Sequence, residues 1–165
     1  LTRSVSSVLE FGANIGLNLT SINSLLPNAE MSGIEINKEA VSVLKENEGF
    51  TVYHTSILDF MPENKHEFVF IKGVLIHINP DELEKVYESL YDSSSRYICV
   101  AEYYNPVPVA LNYRGNEGKL FKRDFAGEIM DKYSDLKLVD YGFVYSRDNN
   151  FVHDDITWFL MEKEK

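Results

Sequence analysis

The stretch Val8-Leu9-Glu10-Phe11-Gly12-Ala13-Asn14-Ile15-Gly16 decides the fold of this 165-residue chain. Its apolar start predicts a strand, its two glycines predict a tight turn, and a helix-like pattern follows from Ile15 to Leu26. A second apolar run extends from Met31 to Ile36, and the acidic residue Glu35 lies near its end. Strand, glycine turn, helix, strand and terminal acid together form the layout of a nucleoside-binding βαβ unit.

The glycine turn favours one nucleoside class over another. Its spacing is G-x-x-x-G, and Asn14 stands where a dinucleotide fold has a middle glycine. Asn tolerates a positive φ, so the tight turn is retained. Glu10, two residues before Gly12, would repel a pyrophosphate but suits a cation. S-adenosylmethionine (SAM) carries an ammonium and a sulfonium and no phosphate, so the pattern favours SAM over NAD. The alternative is that Glu10 caps a turn and Glu35 is a solvated strand end.

Composition predicts one globular domain over residues 1–165, because hydrophobic residues make up 44% of the chain. The net charge of −10 argues against nucleic acid as the main partner, because phosphate binding needs a basic face. The single cysteine, Cys99, excludes an internal disulfide and fits a cytoplasmic location. No apolar run reaches membrane-spanning length, so no membrane partner is expected. The chain begins almost directly on its first strand, and we expect an N-terminal segment to precede it.

Apolar periodicity predicts an α/β fold with helices on both faces of a sheet. We expect five parallel strands followed by an antiparallel C-terminal hairpin. This three-layer, Rossmann-like arrangement resembles that of the class I methyltransferases. The strands are predicted near residues 6–11, 30–36, 50–55, 67–72, 96–103, 137–146 and 155–162, and the helices near 15–26, 38–47, 80–92 and 122–133.

The sequence resembles the class I SAM-dependent methyltransferases, and within them the pseudaminic acid biosynthesis-associated methylases. Besides the opening stretch, the resemblance lies in Lys72–Pro80, Glu102–Pro106, Asn112–Gly115, Phe121–Glu128 and Asp154–Leu160. It implies methyl transfer in the context of bacterial nonulosonic acids, which are nine-carbon sugar acids. The resemblance also implies a longer N-terminus, with helices that help to cover the cofactor.

Ligands of a parallel α/β sheet bind at the carboxyl ends of its strands, which selects the cofactor candidates. We expect the loop after the first strand to hold the methionine part of SAM, Glu35 to bind the ribose and Ile36 to form an apolar wall for adenine. Glu10 would orient the ammonium through backbone or water. The resemblance implies an adenine contact at Ser56 and Ile57, where related enzymes often carry an acid, and Asp59 is expected to form a turn. The full candidate set is Glu10, Gly12, Ala13, Asn14, Gly16, Glu35, Ile36, Ser56, Ile57 and Lys72.

The acceptor is expected beside the long segment 102–120, because long ordered connections in compact domains are often functional. Glu102 is the first candidate for a general base, with His77 second. Lys72, at a strand end, either faces the acceptor or pairs with an acid such as Glu102. Acceptor-binding candidates are Tyr103, Tyr104, Asn105, Tyr113, Arg114 and Arg123. Arg114, Lys119, Lys122 and Arg123 form a basic cluster that suits a small anionic acceptor.

Two alternatives remain open on the sequence. The chain could be a SAM-binding module without turnover, or an NAD-dependent oxidoreductase acting on nucleotide sugars. The oxidoreductase would need a third glycine in the turn, which the chain lacks, and a Tyr-x-x-x-Lys pair at its site. No metal site is expected, because the four histidines, His54, His66, His77 and His153, have no ligand-type spacing. The oligomeric state and the atom that is methylated stay open.

Overall fold

The computed structural model describes residues 2, 4–113, 116–150 and 152–164. For residues 112, 113 and 116–119 it describes the backbone but not the side chains. Its strands are β1 (Ser7–Phe11), β2 (Glu30–Glu35), β3 (Phe50–His54), β4 (His66–Lys72), β5 (Ser94–Glu102), β6 (Val109–Tyr113), β7 (Asn116–Lys122), β8 (Leu136–Val144) and β9 (Ile156–Lys163). Its α-helices are α1 (Leu17–Leu25), α2 (Lys38–Leu44), α3 (Leu83–Ser93) and α4 (Phe125–Lys132). Within the described ranges, no helix combines the length and the apolar character that a membrane crossing requires.

The predicted fold class is confirmed. Seven strands form one mixed sheet in the order β3-β2-β1-β4-β5-β9-β8. β1 pairs with β2 and β2 with β3 in parallel, whereas β8 and β9 form the antiparallel hairpin at the C-terminal end. The sheet is therefore a parallel core extended by an antiparallel hairpin, with helices flanking it.

Two predictions about the segment after β5 were wrong. The connection 102–120 was predicted as a loop, but it contains an antiparallel hairpin formed by β6 and β7. The last helix was predicted from residue 122, but α4 begins at Phe125, because the Asp124 side chain caps it by accepting from Gly127 N–H. Lys122 consequently belongs to strand β7 and not to a helix.

The described residues cluster into two compact units. The N-terminal unit contains residues 2–70 and 85–98, and the C-terminal unit contains residues 71–84 and 99–165. Fully buried apolar side chains fill the first unit, with Val8, Leu9 and Ile34 on its strands and Leu19 and Leu44 on its helices. The second unit buries Leu75, Val100, Phe125, Ile129 and Met161.

Close packing at Gly33 holds the turn after β1 against the middle of β2. A Cβ at Gly33 would lie 2.8 Å from the Cβ of Ala13 and 3.0 Å from Cδ1 of Leu19. Only a residue without a side chain allows this approach. Gly33 therefore sets how closely the turn and helix α1 lie on the strand.

Gly16 caps the start of α1 in the left-handed region, with φ at 84° and its amide hydrogen-bonded to the Ala13 carbonyl at 2.9 Å. A Cβ at this position would lie 2.5 Å from Cδ1 of the fully buried Leu44. We expect Gly16→Ala to lower the free energy of unfolding by about 3 kcal/mol, because it combines a strained φ with overpacking. Denaturant unfolding monitored by circular dichroism measures this loss.

Gly49 provides the matched control for Gly16. Its φ of 85° is nearly the same, but a Cβ there would meet no atom within 4 Å. Gly49→Ala should therefore lose only the conformational part, about 1 kcal/mol. Equal losses in the two variants would show that the contact with Leu44 is not what requires glycine at position 16.

Candidate functional site

The turn after β1 has the backbone conformation of a loop that can approach a ligand closely. Gly12, Asn14 and Gly16 all have positive φ, at 75°, 49° and 84°, so Asn14 takes the conformation expected from the sequence. The amides of Gly12 and Ala13 both donate to the Ile34 carbonyl, each at 2.9 Å. These bonds fix the turn at the carboxyl end of β2.

Glu35 closes β2 and holds the two segments on either side of it. Its Oε2 accepts the Asn14 amide at 2.8 Å, and its Oε1 accepts the Asn37 amide at 2.7 Å. Asn37 in turn caps α2 through its side chain, which accepts from the Ala40 amide at 3.0 Å. A carboxylate oxygen has two acceptor sites, so each oxygen of Glu35 retains one for a ligand. Two adjacent acceptors held by backbone suit the two hydroxyls of a ribose.

The adenine-binding candidates near Glu35 comprise apolar side chains and a serine hydroxyl. Ile36 has 67% of its surface exposed, and its carbonyl lies 3.2 Å from the His54 ring nitrogen Nε2. Ile57 is buried, whereas the Ser56 hydroxyl accepts the Leu58 amide at 3.1 Å and so keeps its own proton to donate. Asp59 follows in the turn after β3, 3.8 Å from Lys85.

Glu10 lies under the turn and is almost completely buried, with 1% of its surface exposed. Its Oε1 accepts a hydrogen bond of 2.7 Å from the side-chain amide of Asn18 on α1. The contact ties the end of β1 to the first turn of the helix. A role in orienting the ammonium of SAM stays a prediction.

Glu102, the last residue of β5, is buried in the C-terminal unit with 2% of its surface exposed. Its Oε1 accepts the amides of Val74 and Leu75, both at 2.9 Å. Burial raises the pKa of the carboxyl from 4.5 to about 7, against the opposing effect of backbone N–H groups that include those two. Within the described chain, Oε2 of Glu102 makes no hydrogen bond.

The two other catalytic candidates flank the turn that Glu102 holds. Lys72 ends β4 and is half-buried. His77 is exposed and ends the short 3₁₀ helix Leu75–His77. The hydrogen bonds of Glu102 go to the backbone of this turn and not to Lys72. Glu102 therefore fixes the segment that carries His77.

The described acceptor candidates lie among aromatic and charged neighbours. The Tyr104 and Phe159 ring centroids are 5.7 Å apart, and the Lys122 ammonium lies 5.0 Å from the centroid of Tyr103. Arg123 Nε lies 2.8 Å from Oε1 of Glu128, and the Asn105 amide donates to the Arg123 carbonyl at 3.5 Å. Two further candidates, Arg114 and the side chain of Tyr113, lie outside the described residues.

A Tyr-x-x-x-Lys spacing does occur in this chain, at Tyr133 and Lys137. Tyr133 is the C-cap residue that follows α4. The Lys137 ammonium donates to the Ser134 carbonyl at 2.8 Å and lies 3.8 Å from Glu164. Lys137 is thus engaged by the hairpin that follows the helix. It lies at the start of β8, whereas ligands of such sheets bind at carboxyl ends of parallel strands.

Several residues of the cofactor candidate site were not predicted from the sequence. Asn18, Asn37 and His54 contact Glu10, Glu35 and the Ile36 carbonyl. An Asn immediately before a helical run is a capping signal, so Asn37 was detectable. The contacts of Asn18 and His54 have no sequence signal. Among the described residues, no three His, Cys, Asp or Glu side chains come together as metal ligands would.

Comparisons with known proteins identify the fold. No protein-family model matches the sequence, and no curated protein does. The structure is similar to the O-methyltransferase of a trans-AT polyketide synthase multienzyme of Brevibacillus brevis in complex with S-adenosyl-L-homocysteine. That match has a TM-score of 0.76 at 12% identity and covers 97% of this chain and 67% of the other.

Two further solved structures show the same likeness. The glycopeptide N-methyltransferase MtfA matches with a TM-score of 0.74 at 11% identity, over 94% of this chain and 88% of its own. The plantazolicin methyltransferase BpumL, solved with a pentazolic desmethylPZN analogue and S-adenosylhomocysteine, matches with a TM-score of 0.70 at 13% identity, over 99% of this chain and 78% of its own. The chain therefore has the Rossmann-like fold of class I SAM-dependent methyltransferases.

Proposed function

We propose that this protein is a SAM-dependent methyltransferase that methylates an oxygen or nitrogen of a small anionic acceptor. The observation that carries the proposal is the Glu35 carboxylate, fixed by the Asn14 and Asn37 amides with one acceptor site left on each oxygen. A rigid pair of acceptors at the end of β2, beside a turn of positive φ, fits a nucleoside. The likeness to methyltransferases solved with S-adenosylhomocysteine supports SAM as that nucleoside.

The residues present fit SAM in three places. Glu35 would accept hydrogen bonds from the ribose hydroxyls, and the exposed Ile36 side chain would cover one face of the adenine. The turn formed by Gly12, Ala13, Asn14 and Gly16 would hold the methionine part. When bound, SAM supplies a methyl group activated by a positive sulfur, so the contribution of the protein is mainly to position the reactants.

For the acceptor, we propose a nonulosonic, pseudaminic-type sugar acid or its nucleotide-activated form. The support is the sequence resemblance to pseudaminic acid biosynthesis-associated methylases, together with the cations Lys119, Lys122 and Arg123 in an otherwise acidic chain. Arg123 is partly neutralised by Glu128, so its neighbours would supply much of the positive charge.

Glu102 is the proposed general base for a hydroxyl acceptor. Its pKa of about 7 lies near neutral pH, where a group both accepts and releases a proton readily. We expect Glu102→Gln to lower kcat about 100-fold or more, because general-base catalysis contributes on this scale. Affinity for S-adenosylhomocysteine should stay unchanged. Full turnover in this variant would remove Glu102 from the reaction, and Glu48→Gln, at an exposed site, controls for the lost charge.

Transfer of a labelled methyl group from SAM tests the function as a whole. The acceptors are nonulosonic acids and their nucleotide-activated forms, with neutral sugars of similar size as controls. Label in the sugar acids and not in the neutral sugars supports both parts of the proposal. Binding of S-adenosylhomocysteine without transfer to any acceptor would favour a non-catalytic SAM-binding module instead.

A further inference from the structure

Strand β8 carries a series of exposed apolar side chains, which we call the aromatic row. Between 44% and 64% of the surface is exposed for its four members, which are Leu138, Tyr141, Phe143 and, just after the strand, Tyr145. The ring of Tyr141 stacks beside that of Phe159 on β9, with centroids 6.2 Å apart, and the centroids of Phe143 and Tyr145 lie 6.1 Å apart. Large apolar side chains that are grouped on a surface in this way mark an interaction site.

A shift in the register of the hairpin brings the aromatic row onto one face of the sheet. Leu138 is paired with Met161 and Tyr141 with Phe159, because the register shifts between the two pairs. Met161 and Phe159 are alternate residues of β9 and share a face, so Leu138 and Tyr141 share that face as well. Phe143, two residues after Tyr141, follows on the same side. The shift therefore adds a leucine to the aromatic residues of the strand.

The charged side chains of β8 lie on the opposite face. Lys137 and Asp140 are paired with Glu162 and Leu160, which alternate along β9 with the residues opposite the aromatic row. A partner can therefore cover the row without burying a charge from β8. Because every copy of the chain presents the same apolar face, that face is complementary to itself.

The free edge of β8 is protected, so a partner would pack on the face and would not extend the sheet. β8 is the last strand of the seven-stranded sheet. The Asp140 carboxylate accepts the Tyr141 amide at 2.8 Å, and the register shift lies directly beside this bond. Bulges and charged side chains at a sheet edge oppose the addition of a further strand.

The exposed area favours a second copy of the chain over a small ligand. An aromatic side chain has about 200 Å² of surface, so Tyr141, Phe143 and Tyr145 together leave about 350 Å² uncovered. Ligand sites are concave and enclose most of the molecule they bind, whereas half or more of each of these residues is exposed. Two copies would cover about 700 Å² of ring surface in addition to Leu138, which is in the range of weak, reversible complexes.

We propose that two copies of this protein associate face to face through their aromatic rows, as a weak dimer with two-fold symmetry. A two-fold contact places the same surface of each copy against the other and closes after two copies. Neither a cofactor nor an acceptor takes part in this contact. The dimer is therefore independent of methyl transfer and is tested separately from it.

Sedimentation velocity over a series of protein concentrations measures the association. The unmodified protein should pass from monomer to dimer as its concentration rises. Phe143→Glu should weaken the dimer about 100-fold or more, because both copies would bring the added charge into the contact. Met61→Glu adds the same charge to the N-terminal unit, at a side chain that is 83% exposed, and should dimerise like the unmodified protein.

Salt provides a second measurement on the unmodified protein, which does not depend on the folding of a variant. Each copy carries a net charge of −10, so screening of their repulsion should strengthen the dimer as the salt concentration rises. A dimer that salt weakens would be held by ion pairs and would overturn the proposal. A protein that stays monomeric at every concentration would also overturn it, as would a dimer that persists unchanged in Phe143→Glu.

Discussion

Replacing Glu35 with alanine should weaken the binding of S-adenosylhomocysteine about 100-fold or more. Hydrogen bonds to a charged group contribute about 1.5–3 kcal/mol each, and Glu35 has one acceptor site left on each of its two oxygens. Losing two such bonds costs at least about 3 kcal/mol of binding free energy. Since about 1.4 kcal/mol corresponds to a tenfold change in Kd, the affinity falls about 100-fold or more. The variant also releases the Asn14 amide, so the turn loses its tether to β2. Isothermal titration calorimetry measures the change.

Two variants make this result specific. Glu30→Ala removes the same charge from an exposed position at the opposite end of β2, so its affinity should match that of the unmodified protein. Glu35→Gln keeps one carbonyl acceptor and should give an intermediate loss. Affinity in Glu35→Ala that equals the affinity of Glu30→Ala would mean that Glu35 does not contact the ribose.

Replacing Glu102 with glutamine should remove a pH dependence of stability of about 3 kcal/mol. The pKa of Glu102 is raised from 4.5 in the unfolded chain to about 7 in the folded protein, because burial disfavours the charged form. The folded state of the unmodified protein therefore loses stability as pH rises from about 4.5 to 7 and changes little from this cause above that pH. Each pKa unit corresponds to about 1.4 kcal/mol, which gives the total.

The glutamine variant isolates the charge from the hydrogen bonds. Its side-chain carbonyl can still accept the Val74 and Leu75 amides, so the turn after β4 stays fixed. Urea unfolding between pH 4.5 and 8 should show a gain in the free energy of unfolding of Glu102→Gln relative to the unmodified protein as pH rises. Glu48→Gln, at an exposed position, serves as the control for net charge. Parallel stability curves for Glu102→Gln and the unmodified protein would show that Glu102 does not titrate in this range.

The N-terminal part of the fold was predictable because its signals are local. The turn from Gly12 to Gly16 and the apolar runs around it specify strand, turn and helix within one continuous stretch. The position of Glu35 at the end of β2 followed from the same pattern, and the structure places its carboxylate against the Asn14 amide. The positive φ predicted for Asn14 was also confirmed, because it too depends on the local sequence of the turn.

The segment after β5 was harder to predict because its residues give weak local signals. β6 follows Pro106 and Pro108, which argue against a strand, and β7 begins with the polar residues Asn116 and Glu117. The two strands pair as a hairpin, with Val109 opposite Lys122 and Tyr113 opposite Asn116. The burial of Glu102 and its contacts with the 74–75 backbone depend on tertiary packing that no residue pattern encodes.

We propose above that the N-terminal unit binds SAM. Calorimetric titration of the protein with S-adenosylhomocysteine, with NAD titrated in parallel, measures this binding. We expect saturable binding of S-adenosylhomocysteine with a micromolar Kd and no binding of NAD. Binding of NAD without binding of S-adenosylhomocysteine would rule out SAM as the ligand and would indicate a dinucleotide-dependent protein.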